Sequence, residues 1–132
     1  MERINNKDFF SLRRKRSMES DDDLLVFIYL EDMKYIEEYL QRNKRRYGFP
    51  SYLRYYYELY RSEFLATEHN TENEIKEPSK ALIKYTLVGT SCGIRLLKND
   101  SKRKNVSVSY IIRWLIRKII SEINKEEGSF KC

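Results

Sequence analysis

Apolar residues recur at helical spacing along most of this chain, separated by polar stretches and breakers. Val26, Leu30, Met33, Ile36 or Glu37, and Leu40 step by three or four residues, which predicts an amphipathic helix over 22–43. Residues 24–30 are apolar on all sides, so its first half should be deeply buried. Ser20 followed by Asp21, Asp22 and Asp23 suits its start, a capping hydroxyl and then acids at the positive end of the helix dipole. The run Tyr-Gly-Phe-Pro at 47–50 breaks the pattern. A second helix is predicted over 50–65, with Leu53, Tyr56 or Tyr57, Tyr60 and Phe64 as its stripe. The polar run 67–79 reads as a loop with at most a short helix, and Pro78 suits the first turn of a third helix over 78–98. Residues 99–105 read as a loop. A fourth helix is predicted over 108–125, with Val108, Ile112, Leu115, Ile119 and Ile123 on one face. Ile111, Ile116 and Ile120 widen that face, and Arg113, Arg117 and Lys118 lie opposite. The alternation at 106–110 would also suit a short strand, as second choice, and Gly128 closes the helical part.

The third segment, "ALIKYTLVGTSCGIRLL" over 81–97, is the most apolar of these. A membrane span needs about 20 apolar residues, and Lys84 and Arg95 interrupt this one. A phosphate-binding loop needs a Lys-Ser/Thr pair after its glycines, and Gly89 to Gly93 has none. A buried helix remains. Gly89 and Gly93, four apart, would share a face and let a neighbour approach closely; each glycine costs up to about 1 kcal/mol relative to alanine. The expected fold is therefore all-α: a compact bundle of amphipathic helices around a central apolar helix. Residues 1–20 form a flexible basic arm, and residues 21–132 a single helical domain.

Composition supports this: 4 Gly and 2 Pro in 132 residues are too few for the turns of an all-β fold. The net charge of +6 suggests an anionic partner. The charge is uneven, basic at 13–16, 42–46 and 98–104 and acidic over 58–77. Two cysteines, Cys92 and Cys132, make no disulfide framework, and the first residues are polar without a secretory pattern. A reducing, cytoplasmic setting is expected, with no membrane span, no C-terminal anchor and no prenylation signal. No catalytic residue, metal ligand set or cofactor is expected: His69 stands alone in a polar stretch, Cys92 reads as a small core residue, and the acids of 58–77 read as a solvated face. The basic arm and the pair Arg113 and Arg117 leave nucleic-acid binding, or a coat or assembly role, as the alternative function.

Three stretches together resemble the B-cell lymphoma two (Bcl-two) family of apoptosis regulators, especially its short viral members. "LIKYTLVGTSCGIRLL" resembles the family's Gly-containing central helix. "IIRWLIRKIISEINKEEGSF" over 111–130 resembles the helix that follows and its Trp-Ile-x-x-x-Gly-Gly-Trp ending, with Ile123, Gly128, Ser129 and Phe130 standing in. "LRYYYEL" over 53–59 resembles the third homology motif through Leu53 and Glu58, with Tyr57 at the small position. The family's Asn-Trp-Gly-Arg signature is absent. The resemblance implies an apoptosis inhibitor that sequesters pro-apoptotic amphipathic helices of host proteins in a hydrophobic groove. It places Tyr56, Tyr60, Phe64, Leu82, Tyr85 and Gly89 in that groove, with Lys80 or Lys84 meeting the ligand's Asp in place of the family Arg. Nucleic acid ranks second as partner, and a homodimer is compatible with the pattern.

Overall fold

The computed structural model of the chain describes residues 21–43, 48–69 and 81–129. Among them the order is β1 (Asp21–Tyr29), α1 (Leu30–Arg42), α2 (Phe49–Ala66), β2 (Leu82–Thr90), α3 (Ser91–Lys104) and α4 (Val108–Ser129). The all-α expectation is thereby corrected. The chain is mostly helical but carries a two-stranded antiparallel sheet, in which Asp21 pairs with Thr90 and Tyr29 with Leu82. The predicted third helix is a strand followed by a separate helix, so Gly89 and Gly93 share no helix face. The predicted first helix begins only at Leu30. The basic arm, Ser20 and Lys80 lie outside the described residues.

The strands form because β-branched and aromatic residues suit a pleated, half-buried surface. Val26 and Ile28 are fully buried, whereas Leu25 and Phe27, which alternate with them, are exposed, the alternation a one-sided sheet requires. The change from β1 to α1 is abrupt. Tyr29 is extended and gives α1 no side-chain cap. At the next junction Thr90 caps α3 by accepting from the Gly93 N–H at 3.0 Å. α3 ends on Asn105 in the left-handed region, φ 55°. Ser107 then caps α4 by accepting from the Tyr110 N–H at 3.0 Å.

The central helix is the fourth, not the third. Ile111, Ile112, Leu115, Ile116, Ile119 and Ile123 of α4 are all buried, and α4 packs on β1, α1, α2 and α3. It also holds the outer edge of β1: the Phe27 N–H donates to Ser109 Oγ at 2.9 Å, and Arg113 Nη1 donates to the Phe27 carbonyl at 2.9 Å. An unpaired strand edge invites wrong pairing, and these two side chains occupy it at its centre. α4 runs through Gly128 to Ser129, past the glycine expected to end it.

Candidate functional site

The expected groove residues that the structure describes lie on two elements. Tyr56, Tyr60 and Phe64 are on α2, whereas Leu82, Lys84, Tyr85 and Gly89 are on β2. The α2 aromatics pack on one another and on α4. Tyr56 stacks on Tyr60 with ring centroids 5.7 Å apart and packs edge-on against Tyr52 at 4.7 Å. Burial first, and then a bond to Glu122 of α4, raises the Tyr60 pKa. Phe64 is fully buried, stacked on His69 at 4.3 Å and edge-on to Trp114 at 5.1 Å. Tyr85 and Gly89 lie on the inward-facing side of β2. Tyr85 packs edge-on against Phe49 at 5.4 Å, and Gly89 is buried.

His69, expected as a bystander, is a structural residue. Its Nδ1 lies 2.9 Å from the Tyr110 hydroxyl and its Nε2 2.9 Å from the Phe64 carbonyl. A carbonyl only accepts, so Nε2 carries the proton and Nδ1 accepts from Tyr110. Cys92 is exposed rather than in the core. Among the described residues no group of three or more His, Cys, Asp or Glu is placed to hold a metal, and no helix is long and apolar enough to cross a membrane.

The most ordered polar cluster is one the sequence reading missed. Asp100 of α3 is 1% exposed. Arg61 grips it with both ends of its fork, Nε to Oδ2 at 2.7 Å and Nη2 to Oδ1 at 2.9 Å, and the Tyr57 hydroxyl donates to Oδ2. A bidentate pair satisfies a buried carboxylate best. The only cue in the sequence is that Asp100 stands three and four residues after Leu97 and Leu96, on their side of a helix. Burial first, and then the bond to Asp100, hold the Tyr57 phenol well above its usual range. The cluster ties α2 to α3. The nearby seam between Leu53, Tyr57, Leu87, Leu97 and Ile112 has no room for a water molecule.

Burial also pushes the Tyr85 phenol from its ordinary 10.0 to about 12. Between these values the unfolded chain loses this proton while the folded chain keeps it, so stability contributed below pH 10 is lost on the way to pH 12. Tyr57 and Tyr60 shift the same way. The chain should therefore unfold in alkali as pH rises through this window, with the last of the tyrosinate absorbance appearing together with loss of helical circular dichroism. Ionisation of all 11 tyrosines while helicity persists would contradict the burial of these phenols.

The outward face of the ribbon carries the remaining expected site residues. Antiparallel partners share a face, so Leu25 with Thr86, Phe27 with Lys84 and Tyr29 with Leu82 point away from the helices. Leu25 is 51%, Phe27 38% and Leu82 51% exposed. They form one apolar strip with Lys84 set into it beside Phe27 and Asp23 at its far end, opposite Val88. Leu25 and Phe27 were not foreseen, because a strand face cannot be read from a segment assigned to a helix. A comparison of the chain with protein-family models, curated proteins and solved structures finds no match.

Proposed function

We propose that the chain is a non-enzymatic binding protein that holds an amphipathic, acid-bearing helix on the outward face of the β1–β2 ribbon. The observation that carries this reading is the clustering of Leu25, Phe27 and Leu82, large apolar side chains left exposed on one face. Contiguous exposed apolar surface rimmed by polar groups is typical of interaction sites. From Leu25 to the Tyr29–Leu82 pair the strip runs about 13 Å, close to the about 10.5 Å spanned by an i, i+4, i+7 stripe. Lys84 in the strip selects a ligand with an acid beside that stripe, and Asp23 favours a basic end. Pro-apoptotic helices, the ligand class implied by the Bcl-two resemblance, have this chemistry and are the first to test.

The test is titration of labelled helical peptides, with and without an acid beside the apolar stripe, against the full chain. Leu82→Glu and Lys84→Glu should each weaken binding by tenfold or more while leaving the melting temperature nearly unchanged, because both side chains are exposed. No binding by any peptide would overturn the reading. So would a concentration-dependent dimer that Leu82→Glu dissolves, since the strip would then be an interface between copies.

A further inference from the structure

We infer that the exposed face of α3 is a nucleic-acid-binding surface that contacts the phosphate backbone, independently of the ribbon. Arg95, Lys98 and Lys102 follow one another at i, i+3 and i+7, with Asn99 and Arg103 beside them, and all five are exposed. The single acid of the helix, Asp100, faces the opposite way, where Arg61 neutralises it. The exposed face is therefore basic without an internal counter-charge. The acids of β1 lie before the helix begins: Asp22 and Asp23 pair with Gly89 and Val88, at the end remote from Lys102 and Arg103.

Several other basic groups among the described residues are engaged within the fold. Arg113 bonds β1, Arg117 faces Asp32 at 3.9 Å, Lys104 donates to the Leu65 carbonyl at 3.0 Å, and Arg42 pairs with Glu127 at 2.7 Å. The helix is held at both ends by the Thr90 cap and the left-handed Asn105, so its cations are presented in a fixed row. From Arg95 to Arg103 that row spans about 12 Å, comparable with the width of the DNA major groove. Asn99 sits within the row, a side chain able to donate and accept toward base edges. The stripe holds no exposed apolar residue of the kind a membrane-surface helix inserts among its cations, which favours nucleic acid over an anionic bilayer.

The experiment is fluorescence anisotropy of a short labelled DNA duplex and its RNA counterpart with the full chain at about 50 and 200 mM salt, with phosphatidylserine vesicles alongside. Three to four phosphate contacts predict a log–log salt slope of about −3 and a loss of about 40- to 150-fold over that fourfold rise in salt. The triple change Arg95→Gln, Lys98→Gln, Lys102→Gln should reduce affinity at least tenfold and flatten the slope by about one per cation removed. Circular dichroism of this variant should be unchanged, and Leu82→Glu should leave nucleic-acid binding intact, which separates this site from the ribbon. Salt-sensitive binding that the triple variant retains would overturn the proposal, as would tighter binding to the vesicles than to either duplex, or no binding at the lower salt.

Discussion

Phe64→Ala lowers the stability of the chain by about 3–5 kcal/mol and its melting temperature by about 10–20 °C, read by thermal and urea unfolding. The ring is fully buried, with His69 on one side and Trp114 at its edge. Removing it leaves a cavity that rigid neighbours fill poorly, because Trp114 belongs to the central helix and His69 is fixed by two hydrogen bonds. Lys118, placed over the Trp114 ring at 5.6 Å and paired with Glu63, holds the other side of the cluster. Leucine at 64 should recover much of the loss. At a temperature where the alanine variant is still folded, its affinity for ribbon-binding peptides should equal that of the parent chain. A variant that melted normally but lost peptide binding would place Phe64 in an open groove and refute its assignment to the core.

Asp100→Ala should cost about 2–4 kcal/mol. Removing one partner of a buried ion pair costs more than the pair contributes, since the other charge is left without compensation. Arg61 is 29% exposed, so water relieves part of that penalty and the estimate sits below that for a fully buried pair. Tyr57 loses its acceptor at the same time. The double change Asp100→Ala with Arg61→Leu should therefore be less destabilising than the sum of the single changes, with a coupling of about 1–3 kcal/mol. Strict additivity in urea unfolding would show that the two side chains do not act as a unit.

Two helices could be read directly because their information is local. α2 and α4 carry apolar stripes along nearly their full length, and Pro50 and Ser107 mark their starts. The strands could not be read this way. Residues 24–29 and 82–88 carry large apolar side chains on both faces, so no clean two-residue alternation stands out, and Val26, Leu30 and Met33 fit a helical step equally well. Leu24 to Tyr29 is a strand because β2 lies beside it, and a partner distant in sequence leaves no mark on local periodicity. The uncapped junction at Tyr29 hides the boundary further. The α3 cues, Thr90 before it, Lys102 to Lys104 in its last turn and Asn105 after it, are present in the sequence, but they lie partly within an apolar run long enough to pass for one helix.

The charge pattern follows the same division. An excess of six positive charges is a property of composition and points to an anionic partner without any fold. Which cations face that partner is decided by packing. Folding turns Asp100 inward onto Arg61 and directs Arg113 and Arg117 to β1 and α1, while the α3 row stays exposed. Likewise the residue list contains Leu25, Phe27, Leu82 and Lys84, but only the register of β1 on β2 sets them on one face. Apolar content and helical period act over a few residues, whereas the orientation of a side chain depends on contacts between segments far apart in the chain.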